Sequence, residues 1–296
     1  MPWQTCGDIR LTALSVSSGQ CLRVLRVFPR RTALTPTDDM AVVGDPPMEG
    51  MRPEADEVHV SCTFTWDRER AEYLAQAWGQ YYPTVKLGGP AFGTPVNGFK
   101  PGMYVRDGVT FTSRGCNNHC PFCLVREREG KLREYDEFAE GYEVNDNNLL
   151  QCSQHHIDKV LAMLRKQRKA ARLSGGLEAA RVTDTFAEAL RGTRISEVFL
   201  AADHNDSLKP LERAINKLSF LGRDKLRCYV LIGFNGETIQ QAKARLLKVW
   251  EIGCLPFAQL YQPPTDKRIT YSQEWRDLQR TWSRPAATKA AMKCPK

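Results

Sequence analysis

The sequence predicts an α/β protein, with a partial (β/α)6, TIM-like barrel preceded by a small α/β N-terminal domain. Three observations carry this. Short apolar runs alternate with segments of helical period along most of the chain. Six of these runs, at 109–112, 143–145, 173–176, 197–201, 227–232 and 256–261, have helical patterns between most of them. Six strands with five connections fit a right-handed parallel sheet that curls into a partial barrel.

Residues 1–20 show no clear period and read as a lead-in. A strand is expected over 21–28, where apolar and polar residues alternate. A turn-rich stretch with Pro29, Pro36, Pro46 and Pro47 follows. A second strand is expected over 57–64. Asp67 is placed to cap a helix running to about Tyr82, and 85–90 reads as a short strand ending in a glycine turn. These pieces make the small domain, 21–104, with a linker from Pro95 to Gly102.

Residues 105–265 form the barrel. Ser153 is expected to cap a helix over 154–172, and Thr183 or Asp184 one that runs to Leu190. Two more helices are expected at 208–221 and 237–252, the last ending at Gly253. Residues 266–296 read as a charged, irregular tail with Trp275 and Trp282 as docking anchors.

Composition narrows the class. The chain has 296 residues, 42% apolar and 26% charged, which is ordinary for a globular protein. No stretch approaches the roughly 20 apolar residues of a membrane helix, and the N-terminus lacks the apolar core of a secretory signal. A cytoplasmic protein with no membrane partner is expected. The net charge of +8 raises the odds of a polyanionic partner, DNA or RNA. The densest basic stretch, Arg165, Lys166, Arg168, Lys169 and Arg172, continues an apolar stripe at helical spacing and reads as the solvated face of that helix.

Ten cysteines in a reducing compartment argue against a disulfide framework. Seven are scattered (Cys6, Cys21, Cys62, Cys152, Cys228, Cys254, Cys294) and read mostly as small buried hydrophobes. The other three, Cys116, Cys120 and Cys123, form a C-x3-C-x2-C cluster after the first barrel strand. Three thiolates can hold three irons of a four-iron cluster and leave the fourth iron open for chemistry. Structural zinc usually takes four ligands in two separated pairs, and no second pair is in reach, although His119 or His155 and His156 could make a mixed site. A purely electron-transferring cluster wants a fourth cysteine, for which Cys152 is the one weak candidate.

The spacing Cys116, Cys120, Cys123, with the aromatic Phe122 before the third cysteine and a strand before the first, resembles the radical S-adenosylmethionine superfamily over roughly residues 105–265. The resemblance implies metal ligation of a [4Fe-4S] cluster by those three cysteines, with S-adenosyl-L-methionine completing the open iron. It implies reductive cleavage to methionine and a 5′-deoxyadenosyl radical that abstracts hydrogen from substrate, and an electron donor such as flavodoxin or ferredoxin. It places cofactor at the C-terminal strand ends. Phe122 would sit beside the adenine. The stretch Asn145, Asp146, Asn147, Asn148 stands where many members have Gly-Gly-Glu for the methionine amino group. Glu178 and Arg181 would hold the zwitterionic methionine end, or form only a surface ion pair. Asp203 would accept from the ribose, and Gly233 lies in the stretch expected to carry adenine against backbone. His204, Gln259 and Tyr261 are candidates to face substrate, with Asp203 as a further catalytic candidate.

The N-terminal domain looks like a reduced cobalamin-binding domain over Thr63 to Asp67 and Gly88 to Pro90, but it lacks Asp-x-His-x-x-Gly and reads as a scaffold or substrate-binding cover. Compact enzymes of this look in bacteria and phages suggest base hypermodification, such as rearrangement of a modified thymidine side chain on an extruded base. A peptide or small metabolite is the alternative substrate. A non-catalytic iron–sulfur or zinc protein that binds nucleic acid is the reading from another class.

Overall fold

The computed structural model describes residues 22–93, 102–263, 265 and 267–293. The lead-in, most of the linker, Cys6, Cys21 and Cys294 lie outside the described residues. The chain divides into two compact units, residues 1–106 and 107–296.

The first unit holds β1 (Val24–Phe28), β2 (Ala41–Val43), β3 (Glu57–Ser61), α1 (Arg68–Gly79) and β4 (Val85–Gly88). They form a parallel sheet of order β2-β1-β3-β4. Leu25, Val27, Val58 and Val60 alternate to one face and pack with Leu74 and Trp78 of α1. The opposite face of β3 carries His59, bonded to Glu57 at 2.8 Å and to the Tyr104 hydroxyl at 2.7 Å. Two expectations change here. β2 lies inside the stretch read as turns, because three residues set between prolines are too short to show a period. Asp67 precedes α1 but makes no capping bond; its carboxylate accepts from Arg30 instead.

The second unit begins with β5 (Val109–Thr110), β6 (Ser113–Arg114), α2 (Val125–Glu129), β7 (Arg133–Glu134) and β8 (Glu143–Val144). It continues as α3 (Gln154–Lys166), β9 (Ala171–Glu178), α4 (Asp184–Arg191), β10 (Ile195–Ala201), α5 (Leu208–Lys217), β11 (Leu226–Ile232), α6 (Ile239–Ile252) and β12 (Leu255–Leu260). It closes with α7 (Gln273–Ser283) and α8 (Pro285–Lys293). β5, β8, β9, β10, β11 and β12 form one parallel sheet in which each strand lies beside its predecessor in the chain. β5 and β12 are its two edges, so the sheet is open. One face packs on the helices through Leu173, Leu177, Val198, Leu200, Cys228, Val230 and Ile232.

The helix boundaries follow local chemistry. Ser153 accepts from the His156 amide, Thr183 from the Phe186 amide, and Thr238 forms a capping box with Gln241. Gly253 ends α6 at φ 110°, a left-handed position that favours glycine. α3 stops at Lys166, short of the expected 172, because Ala171 and Arg172 already pair in the sheet. The tail is helical. Trp282 is 3% exposed in the core, and Trp275 packs against its edge.

The sheet face away from the helices is polar at one end and aromatic beyond. Glu143, Arg172, Glu197 and Arg227 form a ladder across β8 to β11, with bonds of 2.9, 2.6 and 3.0 Å. Above it Phe199, Tyr229 and Phe257 pack together. The rings of Phe199 and Phe257 are 6.0 Å apart although β11 runs between their strands. Strands two apart in a flat sheet are roughly 9.6 Å apart, so the side chains on this face converge.

Candidate functional site

The three clustered cysteines lie in the loop between β6 and β7, which pair antiparallel through Ser113–Glu134 and Arg114–Arg133. Gly115 makes the turn into the loop at φ +81°, and a Cβ there would lie 2.2 Å from the Lys131 carbonyl. The Cys116 amide donates to the Gly130 carbonyl at 3.1 Å, so the hairpin closes directly behind the first cysteine.

The hairpin is anchored from below by Asp146, just past the end of β8. Its buried carboxylate accepts from the Thr112 and Ser113 amides at 2.6 and 3.1 Å and from both hydroxyls. Burial raises its pKa even against those bonds. The buried His156 adds a bond to the Thr112 hydroxyl at 3.0 Å. Gly175 lets β9 approach, since a Cβ there would lie 1.8 Å from the Asp146 carbonyl. The expectation that Asp146 offers a cofactor acceptor therefore changes: its carboxylate is engaged in holding the loop.

From above, the loop is tied to the tip of β9. One oxygen of Glu178 accepts from Asn118 at 3.1 Å, Asn148 at 2.9 Å, Gln151 at 3.2 Å and Arg181 at 3.0 Å. Burial would push this carboxyl up, but those donors together hold it below the ordinary carboxylate value. Asn117 of the same loop accepts from the Leu132 amide and donates its own amide to Gln151. Phe122 meets Phe234 edge-on at 5.6 Å, and Phe234 meets Tyr261 at 4.8 Å. The loop thus reaches from the β9 tip to the tips of β11 and β12.

The thiols are close enough to affect one another. Burial pushes Cys120 up to about 11, with the charges of Cys123, Cys116, Asp203 and Glu178 adding to it. Cys123 is raised by burial and by the charges of Cys116 and Asp203. The Asn118 amide donates to the Cys116 sulfur at 3.4 Å. Among the described residues no three Cys, His, Asp or Glu groups converge on a point where one metal ion would sit. Thiolates that bind three different irons of a cluster need not converge so, whereas a mononuclear zinc site requires it. Cys152 is buried against Ser113 of β6, with its thiol pushed up to about 11 chiefly by burial. Cys62, Cys228 and Cys254 are likewise fully buried.

Asp203 follows β10 and is raised by burial; one oxygen accepts from the Leu231 amide at 3.0 Å. Gly233 sits at φ +77° after β11, with a would-be Cβ 2.9 Å from the Tyr271 ring. Tyr271 donates to the Tyr261 carbonyl at 2.8 Å and the Gly233 carbonyl at 3.4 Å. Buried Arg245 on α6 ties these tips together, donating to the carbonyls of Leu231 at 2.7 Å and Asp203, and to Glu237 at 2.5 Å. Glu237 in turn accepts from the Gly233 amide at 2.9 Å. Gln259 is exposed and Tyr261 half-buried, while His204 and His119 are exposed.

The structure therefore brings together Cys116, Cys120, Cys123, Phe122, Asn148, Glu178, Arg181 and Asp203. His204 is exposed, near enough to Asp203 for its charge to act on that carboxyl. Sequence reading missed Asn118, Gln151, Arg245 and Tyr271. Asn118 alone carried a signal, since it lies inside the cysteine motif.

No protein-family model matches the chain, and a search of curated proteins finds no similar sequence. No described helix is long and apolar enough to cross a membrane.

Proposed function

We propose that the chain is a radical S-adenosylmethionine enzyme built on a partial (β/α)6 barrel. The observation that carries this is one loop. It presents three thiols at the C-terminal ends of a sequentially ordered parallel sheet, beside two acidic side chains at neighbouring strand tips. The converging side chains of the inner face support curvature of that sheet. The residues fit the group: Cys116, Cys120 and Cys123 would hold a [4Fe-4S] cluster, and their mutual repulsion favours a positively charged guest. Bound there, the cluster would supply one electron, from a flavodoxin or ferredoxin, for reductive cleavage of S-adenosyl-L-methionine.

The chain's own residues then divide the work. Glu178 is the acceptor for an ammonium group, and Arg181 beside it offers a guanidinium to a carboxylate. Asp203 accepts from hydroxyls. Phe122 and Phe234 exclude water from the adenine side. The net charge of +8 supports a base within DNA or RNA as the substrate.

Anaerobically reconstituted and dithionite-reduced protein is expected to form 5′-deoxyadenosine. Cys116→Ala is expected to lose both cluster absorbance and product. Product formation that survives this substitution would remove the proposal. One tightly bound zinc without sulfide would favour the non-catalytic reading.

A further inference from the structure

The inner face of the second unit is layered. The lowest tier is the ladder of Glu143, Arg172, Glu197 and Arg227, whose charges satisfy one another. The second is Ser174, Phe199, Tyr229 and Phe257, in which Phe199 is 1% exposed and the Tyr229 hydroxyl donates to the Ser174 carbonyl at 2.8 Å. The fourth is the rim, with Glu178, Asp203, Phe234 and Tyr261. Strand alternation places Ala201, Leu231 and Gln259 between them, and Gly176, at φ +88° where β9 shifts register against β10, faces the Tyr229 ring, 3.5 Å from its would-be Cβ. Two of these four positions have almost no side chain. All four keep solvent access, as Tyr229 and Phe257 below them do, whereas Phe199 is buried, and Gln259 is exposed. A glycine and an alanine on β9 and β10 above an aromatic floor leave room for a hollow on that side of the tier.

We propose that this hollow receives the target of the reaction, and that the target is a nucleobase read by Gln259. The inference rests on the function proposed above and narrows its substrate. The tier has no charged side chain, so a free carboxylate or phosphate would find no counter-ion at that depth. It does have a carboxamide, with one donor and one acceptor side by side, which matches the amide-like edge of a base. Tyr261 and Phe234 at the rim, and Tyr229 and Phe257 below, supply ring faces and edges for a flat heterocycle. Register pairs Gln259 with Leu231, so polar reading and apolar contact lie side by side.

The test is calorimetric titration of the reconstituted full-length protein with the four 2′-deoxynucleoside 5′-monophosphates, and with deoxyribose 5-phosphate as the baseless control. At least one nucleotide is expected to bind, and the control is not. Gln259→Leu is expected to weaken binding by about tenfold, the loss of one paired edge. Ala201→Leu is expected to abolish it by filling the hollow. Gln259→Glu should shift preference toward cytosine, whose amino group donates; a merely structural Gln259 would not change base preference. Binding of the control as tightly as the nucleotides, failure of all four to bind, or wild-type affinity in both Gln259→Leu and Ala201→Leu overturns the proposal. Wild-type 5′-deoxyadenosine formation is measured separately, so failure of the radical reading is told apart from failure of base recognition.

Discussion

Glu178 concentrates more interactions on one atom than any other side chain described at the site. Four donors meet on a single carboxylate oxygen, and three of them are neutral amides from the cysteine loop and the β8–α3 connection. Charge-assisted bonds contribute about 1.5–3 kcal/mol each in favourable cases, but this side chain is 27% exposed, so the sum is well below additive. Glu178→Ala is therefore expected to cost about 1–2 kcal/mol in urea unfolding. Arg181→Ala should cost less than about 0.5 kcal/mol, because that guanidinium is half exposed. Both substitutions should weaken S-adenosyl-L-methionine binding if the pair serves the cofactor. A stability loss in Glu178→Ala without loss of cofactor affinity would reduce Glu178 to a structural brace. The lowered pKa adds a pH sign. The contribution of Glu178 is present above the ordinary value of 4.5 and is lost as pH falls through its lower folded value.

At the scale of elements, two devices set the site, and each gives a prediction. The β6–β7 hairpin holds the cysteines only if Gly115 turns without a Cβ. Gly115→Ala is expected to open the hairpin at a cost of about 1–3 kcal/mol and to lower iron content after reconstitution, while far-ultraviolet dichroism stays near wild type. The charge ladder is the second device. Arg227 is nearly buried, pairs with Glu197 at 3.0 Å and lies over the rings of Phe199 and Phe257. Arg227→Met should cost about 1–3 kcal/mol by removing one of the two guanidinium partners of Glu197, whose side chain is 26% exposed. Adding Glu197→Leu should recover part of that loss, because Arg172 keeps Glu143 at 2.9 Å. If the double variant is more stable than the sum of the singles predicts, Arg227 and Glu197 are favourably coupled in the ladder; strict additivity would show that they are not.

At the scale of the whole molecule, what was legible in the sequence follows from period and spacing. All six strands of the larger sheet stand where apolar runs predict them, because the helix-facing residues Val198, Leu200, Cys228, Val230 and Ile232 recur at period two. The cysteines were legible because their spacing is fixed along the chain. The ladder was not: a charged residue on an inner face has the same alternation as one facing water. Arg245 was hidden for the same reason, a cation on a helix whose partners are carbonyls of strands distant in sequence. Two buried histidines, one in each unit, were equally hidden. His59 is 2% exposed and His156 4%, and burial holds both below the ordinary value of 6.5. A histidine kept neutral in the fold contributes stability above its unfolded pKa. That stability is lost as pH falls below 6.5, because the unfolded chain takes up the proton first. The melting temperature is therefore expected to drop between about pH 7.5 and about pH 5.5. His59→Gln, which keeps a bond to the Tyr104 hydroxyl in reach, should shrink the drop, and adding His156→Gln should shrink it further. A double variant with the wild-type pH dependence would show that other groups set the acid limit of this fold.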